Sequence, residues 1–168
     1  MKRVWFLLIA CMVACVVASC GRGNSNQFAE KETADRVFCQ LQEDFGLYLI
    51  DHKLTRAPQL KKIVANFYHY DEMSVREARL VIYNAAQTLL ENFNQLYPTK
   101  LGYHHFPLTQ EDLEISISFV DPTTHKRYSC GAICHASLID GRVYYSTYVD
   151  HEDRHETVLQ ESFVSTSK

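Results

Sequence analysis

Leu113-Glu-Ile-Ser-Ile-Ser-Phe119 is followed by an extended run from Arg127 to Ile139, the dipeptide Asp140-Gly141, and a run from Arg142 to Asp150. Within the first run Leu113, Ile115, Ile117 and Phe119 alternate with Glu114, Ser116 and Ser118, the period of a strand with one buried face. Asp-Gly between two extended runs marks a tight hairpin, because both central residues need positive φ. With Ile139 opposite Arg142, Ala136 falls opposite Tyr145, Cys134 opposite Thr147 and Ala132 opposite Val149. A loop over 121–126, opened by Asp121-Pro122, sets Phe119 opposite Tyr128 and Ile117 opposite Cys130. Both turns then place Leu113, Ile115, Ile117, Phe119, Cys130, Ala132, Cys134, Ala136, Leu138, Val143, Tyr145 and Val149 on one face. Agreement of two turns on one apolar face predicts a three-stranded antiparallel meander.

The opposite face carries Ser116, Ser118, Ser129, Ile133, His135, Ser137, Tyr144, Ser146 and Tyr148. It reads either as a solvated outer face or as a ligand or partner platform. No orienting acid accompanies its serines and histidine, so it offers no nucleophilic triad.

Upstream the period is helical. After Thr33, a natural N-cap, Ala34, Val37, Phe38, Leu41, Phe45, Tyr48 and Leu49 make one stripe, predicting a helix over about 34–51. Pro58 suits a first helical position, and Leu60, Ile63, Val64 and Phe67 supply a buried face for a second helix ending near Tyr70. Ser74 and Glu77 form a capping box. Ala78, Val81, Ile82, Ala85, Ala86, Leu89, Leu90, Phe93 and Leu96 continue it as a third helix to Tyr97. Residues 98–112 form a long connection. The expected fold class is α+β: three N-terminal helices packed on one face of a three-stranded antiparallel meander, then a short C-terminal helix or fourth strand. The expected organisation is a single domain over 33–164 with a tail at 165–168.

The chain has 168 residues and a formal net charge of −3, with no basic stripe, which argues against nucleic acid as a partner. Its ten tyrosines suit binding surfaces and core edges alike. Cys130 and Cys134 lie ~13 Å apart on a regular strand, beyond disulfide reach. That leaves either a bridge from Cys39 to one of them or three reduced cysteines buried as small apolar residues.

The N-terminus has its own pattern. Lys2 and Arg3 precede an apolar run from Val4 to Val17, and Val17-Ala18-Ser19-Cys20 closes it. This is a charged start, an apolar centre and a small-residue cleavage site, and the apolar run is short of the ~20 residues of a spanning helix. The last four residues resemble the lipobox of bacterial lipoproteins. The resemblance covers the leader alone. It implies a signal peptide over 1–19, lipid attachment at Cys20, a polar tether over 20–32, and a protein held on the cell envelope by its anchor. Gly21, in place of aspartate, implies transfer to the outer membrane, facing the periplasm, in a Gram-negative cell.

One motif carries chemistry. His151-Glu-Asp-Arg-His155 matches H-E-x-x-H, in which a helix presents two histidines to zinc and a glutamate to bound water. Glu161 stands at the third-ligand spacing of metzincins, although Val158 replaces the glycine of that pattern. His104-His105 is the other imidazole cluster and reads as ordinary loop. Two readings follow: a non-catalytic, lipid-anchored envelope protein that binds a protein partner or helps envelope assembly and needs no cofactor, or a membrane-tethered zinc hydrolase using His151, Glu152 and His155. A small-ligand carrier using the serine-rich face is a third, and it requires a concave pocket.

Overall fold

The structure, a computed structural model, describes residues 28–56, 60–96, 107–128, 132–149 and 154–164. The chain divides into two compact units at Asp35. The described part of the first, 28–35, is helical, with Ala34 buried. The second holds the sheet.

Helix α1 (28–45) ends at Phe45, six residues before the expected 51. Gly46 takes φ +63° and its N–H donates to the Gln42 carbonyl, a left-handed C-cap that a side chain would strain. The residues after it leave the helical stripe and become strand β1 (Tyr48–Arg56), paired antiparallel with β2 (Leu60–His69).

The second expected helix is therefore absent, and Leu60–His69 is a strand. Leu60, Ile63, Val64 and Phe67 do recur at helical spacing, but burial follows Ile63, Ala65, Phe67 and His69, a period of two. Alanine and histidine hid that alternation, while the β-branched and aromatic content favoured a strand. Helix α2 (Val75–Gln95) follows. Its Ser74–Glu77 capping box is formed, and Ala78, Ile82, Ala85, Ala86, Leu89, Leu90 and Phe93 are buried.

Because α2 crosses over, β2 runs parallel to β3 (Leu113–Phe119), so the sheet is mixed rather than a lone meander. The entry to β3 is pinned by Asn94, whose side chain accepts from the Leu108 N–H at 2.7 Å and donates to its carbonyl at 3.0 Å. Strands β4 (His135–Ile139), β5 (Arg142–Val149) and β6 (Arg154–Ser162) complete six strands in the order β1-β2-β3-β4-β5-β6. The expected three helices on a three-stranded meander are thus two α-helices and a six-stranded mixed sheet among the described residues.

The Asp140-Gly141 hairpin forms as its sequence predicts, with φ of 49° and 72° and Ala136 opposite Tyr145. The other hairpin differs. Asp121 closes its turn with acceptor bonds from the Thr123 and Thr124 N–H groups, and Tyr128 N–H reaches the Phe119 carbonyl. Among the described residues the ladder resumes at Cys134, whose carbonyl accepts from Phe119 N–H. Ile117 consequently opposes Ala136 rather than Cys130. Ile133, outside the strand, bridges to Met73.

One face of the sheet is covered. Ile63, Ala65 and Phe67 of β2, Leu113, Ile115, Ile117 and Phe119 of β3, Ala136 and Leu138 of β4, and Val143 and Tyr145 of β5 are all buried. Helix α2 packs on β3 and β4, and Phe38 of α1 meets Phe67 edge-on at 5.9 Å. The alanines on both sides let helix and sheet backbones approach closely.

Candidate functional site

On the uncovered face the registers of β2, β3 and β4 align Asn66, Ser116 and Ser137 in one row and Tyr68, Ser118 and His135 in the next. Val64, Asn66, Glu114, Ser116, His135, Ser137 and Ile139 line a cleft of about 240 Å³. Its one carboxylate is answered, because Lys62 sits 2.6 Å from Glu114. Asn66 donates to Asp51 at its far side. The Ser116 hydroxyl lies 3.5 Å from His135 Nε2. Burial, then the nearby His155 and Arg127, push the His135 imidazole down to about 4, so it is neutral at neutral pH. The cleft thus offers a hydroxyl pair, an amide and a neutral imidazole between aliphatic walls.

Beside it lies a second polar cluster. His155 stands on β6, directly opposite Tyr148, with its ring 5.9 Å from that of His135. Arg127 Nη1 contacts His155 Nε2, and His155 Nδ1 lies 3.4 Å from Cys134 Sγ. A guanidinium only donates, so Nε2 is the acceptor and the neutral ring carries its proton on Nδ1. That proton points at sulfur, while the thiol's own hydrogen goes to the Ser146 carbonyl at 3.3 Å. His155 therefore cannot take a proton from Cys134. Burial raises the Cys134 thiol above its usual range and lowers His155 below its own, which keeps both neutral. This is a structural relay, not an activated cysteine.

The H-E-x-x-H reading fails on the same geometry. Arg154 and His155 are in a strand, where the helical i, i+4 face does not exist. Glu161 is six residues further along that strand, ~20 Å from His155, too far to share an ion. It accepts instead from Arg79 of α2 at 2.6 and 2.7 Å and from the buried Tyr145 hydroxyl at 2.7 Å. Among the described residues no group of three or more metal-binding side chains converges. His151, Glu152, His104, His105, Cys130 and Cys20, the expected lipid-attachment residue, lie outside the described residues, as do the expected leader, most of the expected tether and the 165–168 tail. Cys39 and Cys134 carry free thiols, and Cys39 is exposed, not buried as the reduced-cysteine reading expected.

His69 and Arg127 escaped notice in the sequence. His69 is buried, accepts from the Asp71 N–H at 3.1 Å and bonds the Phe45 carbonyl, so it ties the end of α1 to β2. Once β2 is read at period two, His69 falls on its buried face. Nothing local signals that Arg127 meets His155. No family model, curated protein or solved structure matches this chain.

Proposed function

We propose that this protein is a lipid-anchored component of a bacterial cell envelope that acts by binding, and that its binding site is the cleft on the uncovered face of the sheet. The observation that carries the binding site is the lining of that cleft. Asn66, Ser116, His135 and Ser137 supply neutral donors and acceptors, and Val64 and Ile139 supply apolar walls. Its size, about 240 Å³, is below the range of whole drug-sized sites, so it suits one ring-sized or side-chain-sized group of a larger molecule. With Glu114 paired to Lys62, an uncharged, hydrogen-bonding group fits the lining better than an ion. The anchor rests on Val17-Ala18-Ser19-Cys20.

Two measurements test the reading separately. Intact mass of the protein from its own membranes is expected to match cleavage after Ser19 with acyl chains on Cys20. A full-length, unmodified mass overturns the anchor. Screening neutral saccharides and short peptides by nuclear magnetic resonance shifts is expected to move the Ser116, His135 and Ser137 signals in the native chain and to leave those of His135 and Ser137 unmoved in Ser116→Trp, which fills the cleft. Shifts elsewhere, or none with any probe, overturn the binding site.

A further inference from the structure

The sheet has two edges, and they differ. The β6 edge is tied down: Arg79 holds Glu161, the Tyr83 hydroxyl donates to the Ser162 carbonyl at 3.1 Å, and Arg127 holds His155. Strand β1 forms the other edge, with one row of backbone N–H and C=O groups left unpaired by the sheet. All of its nine residues are exposed except Leu54, which is half-buried. It also displays Tyr48, Leu49 and Ile50 at 41%, 37% and 48% exposure. An exposed edge bearing apolar side chains is a template for another strand.

The order of residues along β1 specifies which strand. We propose that β1 pairs antiparallel with β1 of a second copy of this chain, about a twofold axis at His52. In that register Asp51 of each copy faces Lys53 of the other, and His52 faces His52. Both ionic pairs are of opposite sign, and Asp51 and Lys53 sit on the uncovered face, since they pair with Asn66 and Val64 of β2. Their availability fits. Asn66 engages one Asp51 oxygen, and Lys53 has no ion-pair partner among the described residues. Moving the axis to Asp51 or Lys53 sets like charges opposite each other, which is unfavourable on a sheet. A slip of a single residue turns the apolar and charged sides of one copy over. The register shift between Leu49 and Asp51 falls at Ile50 and ends the regular run just beyond the Asp51–Lys53 pairs. A C2 interface needs this self-complementarity, and the joined sheet has twelve strands with the helices on one side.

The test uses the full chain in detergent, in a Cys39→Ser background. His52→Cys is expected to form a disulfide-linked dimer under mild oxidation, because residues opposite each other in an antiparallel pair come within cross-linking reach. Asp51→Lys alone or Lys53→Asp alone is expected to weaken association measured by sedimentation at least tenfold, and the double exchange to restore it. These side chains are exposed, and circular dichroism checks that each variant keeps its fold. A chain that stays monomeric at all concentrations with no cross-link at position 52, or single reversals indistinguishable from the double exchange, overturns the proposal.

Discussion

Two arginines reach strand β6, with opposite consequences. Arg79, from α2, meets the Glu161 carboxylate, and Tyr145 donates into the same oxygen from the core. Arg127, from the turn after β3, meets the His155 ring, which passes its remaining proton toward Cys134. The first cluster is charged and fastens helix to sheet. The second is neutral apart from its guanidinium and depends on staying so. Burial raises the Glu161 carboxyl, yet the bonds from Arg79 and Tyr145 win and hold it below its usual range. For His135 and His155 burial dominates, and the neighbouring positive charge works in the same direction, so both are lowered. Partner chemistry decides whether burial is opposed or reinforced.

The sharpest way to break the charged cluster is at its buried member. Tyr145→Ala removes one of the largest fully buried side chains and is expected to cost about 3–5 kcal/mol in urea unfolding. Tyr145→Phe removes only the bond to Glu161 and is expected to cost about 1–2 kcal/mol.

Acid separates the clusters in pH. His135, His155 and His69 have folded values below 6.5, so below that pH the unfolded chain binds protons that the folded chain refuses. Their contribution is complete above about 6.5 and is lost as pH falls below it, for His135 down to about 4. For His135 alone the loss is expected to reach about 2–3 kcal/mol near pH 4. Glu161 works the same way one step lower, losing its contribution below its usual value of about 4.5. Stability measured from pH 7 to 3 is expected to fall in those two stages, and His135→Phe to shrink the first, which His155 and His69 share, and to leave the second unchanged.

The smallest effect is kinetic. Cys134 is expected to be alkylated at least tenfold more slowly than the exposed Cys39 at pH 8, and His155→Ala to leave its reactivity at pH 6 no lower than in the native chain. A fast reaction at pH 6 that depends on His155 reverses the tautomer assignment.

Local signals were legible where short-range chemistry alone decides. The Ser74–Glu77 box, the α2 stripe and the Asp140-Gly141 turn each satisfy their hydrogen bonds within a few residues, and each stands as read. Leu60–His69 was not legible, because a ten-residue segment with mixed spacing is settled by what lies beside it, here β1 and β3. Likewise the run from Arg127 to Ile139 looked like one strand, but Ile133 bridges to Met73 and it is Cys134 that supplies the acceptor for Phe119 N–H. The serine-rich face was visible as a pattern. Its cleft was not, since Val64 and Asn66 join it only when β2 lies parallel to β3.

By itself, then, the sequence determined the capped helix, one hairpin with its register, the alternation that buries β3, and the residues behind the anchor proposal. Tertiary structure alone decided that β2 is a strand, that the sheet has six strands, and that His155 and Glu161 serve two arginines rather than one metal. The reason is range: turns and caps close their bonds within the segment, whereas strand pairing and buried polar contacts depend on partners tens of residues away.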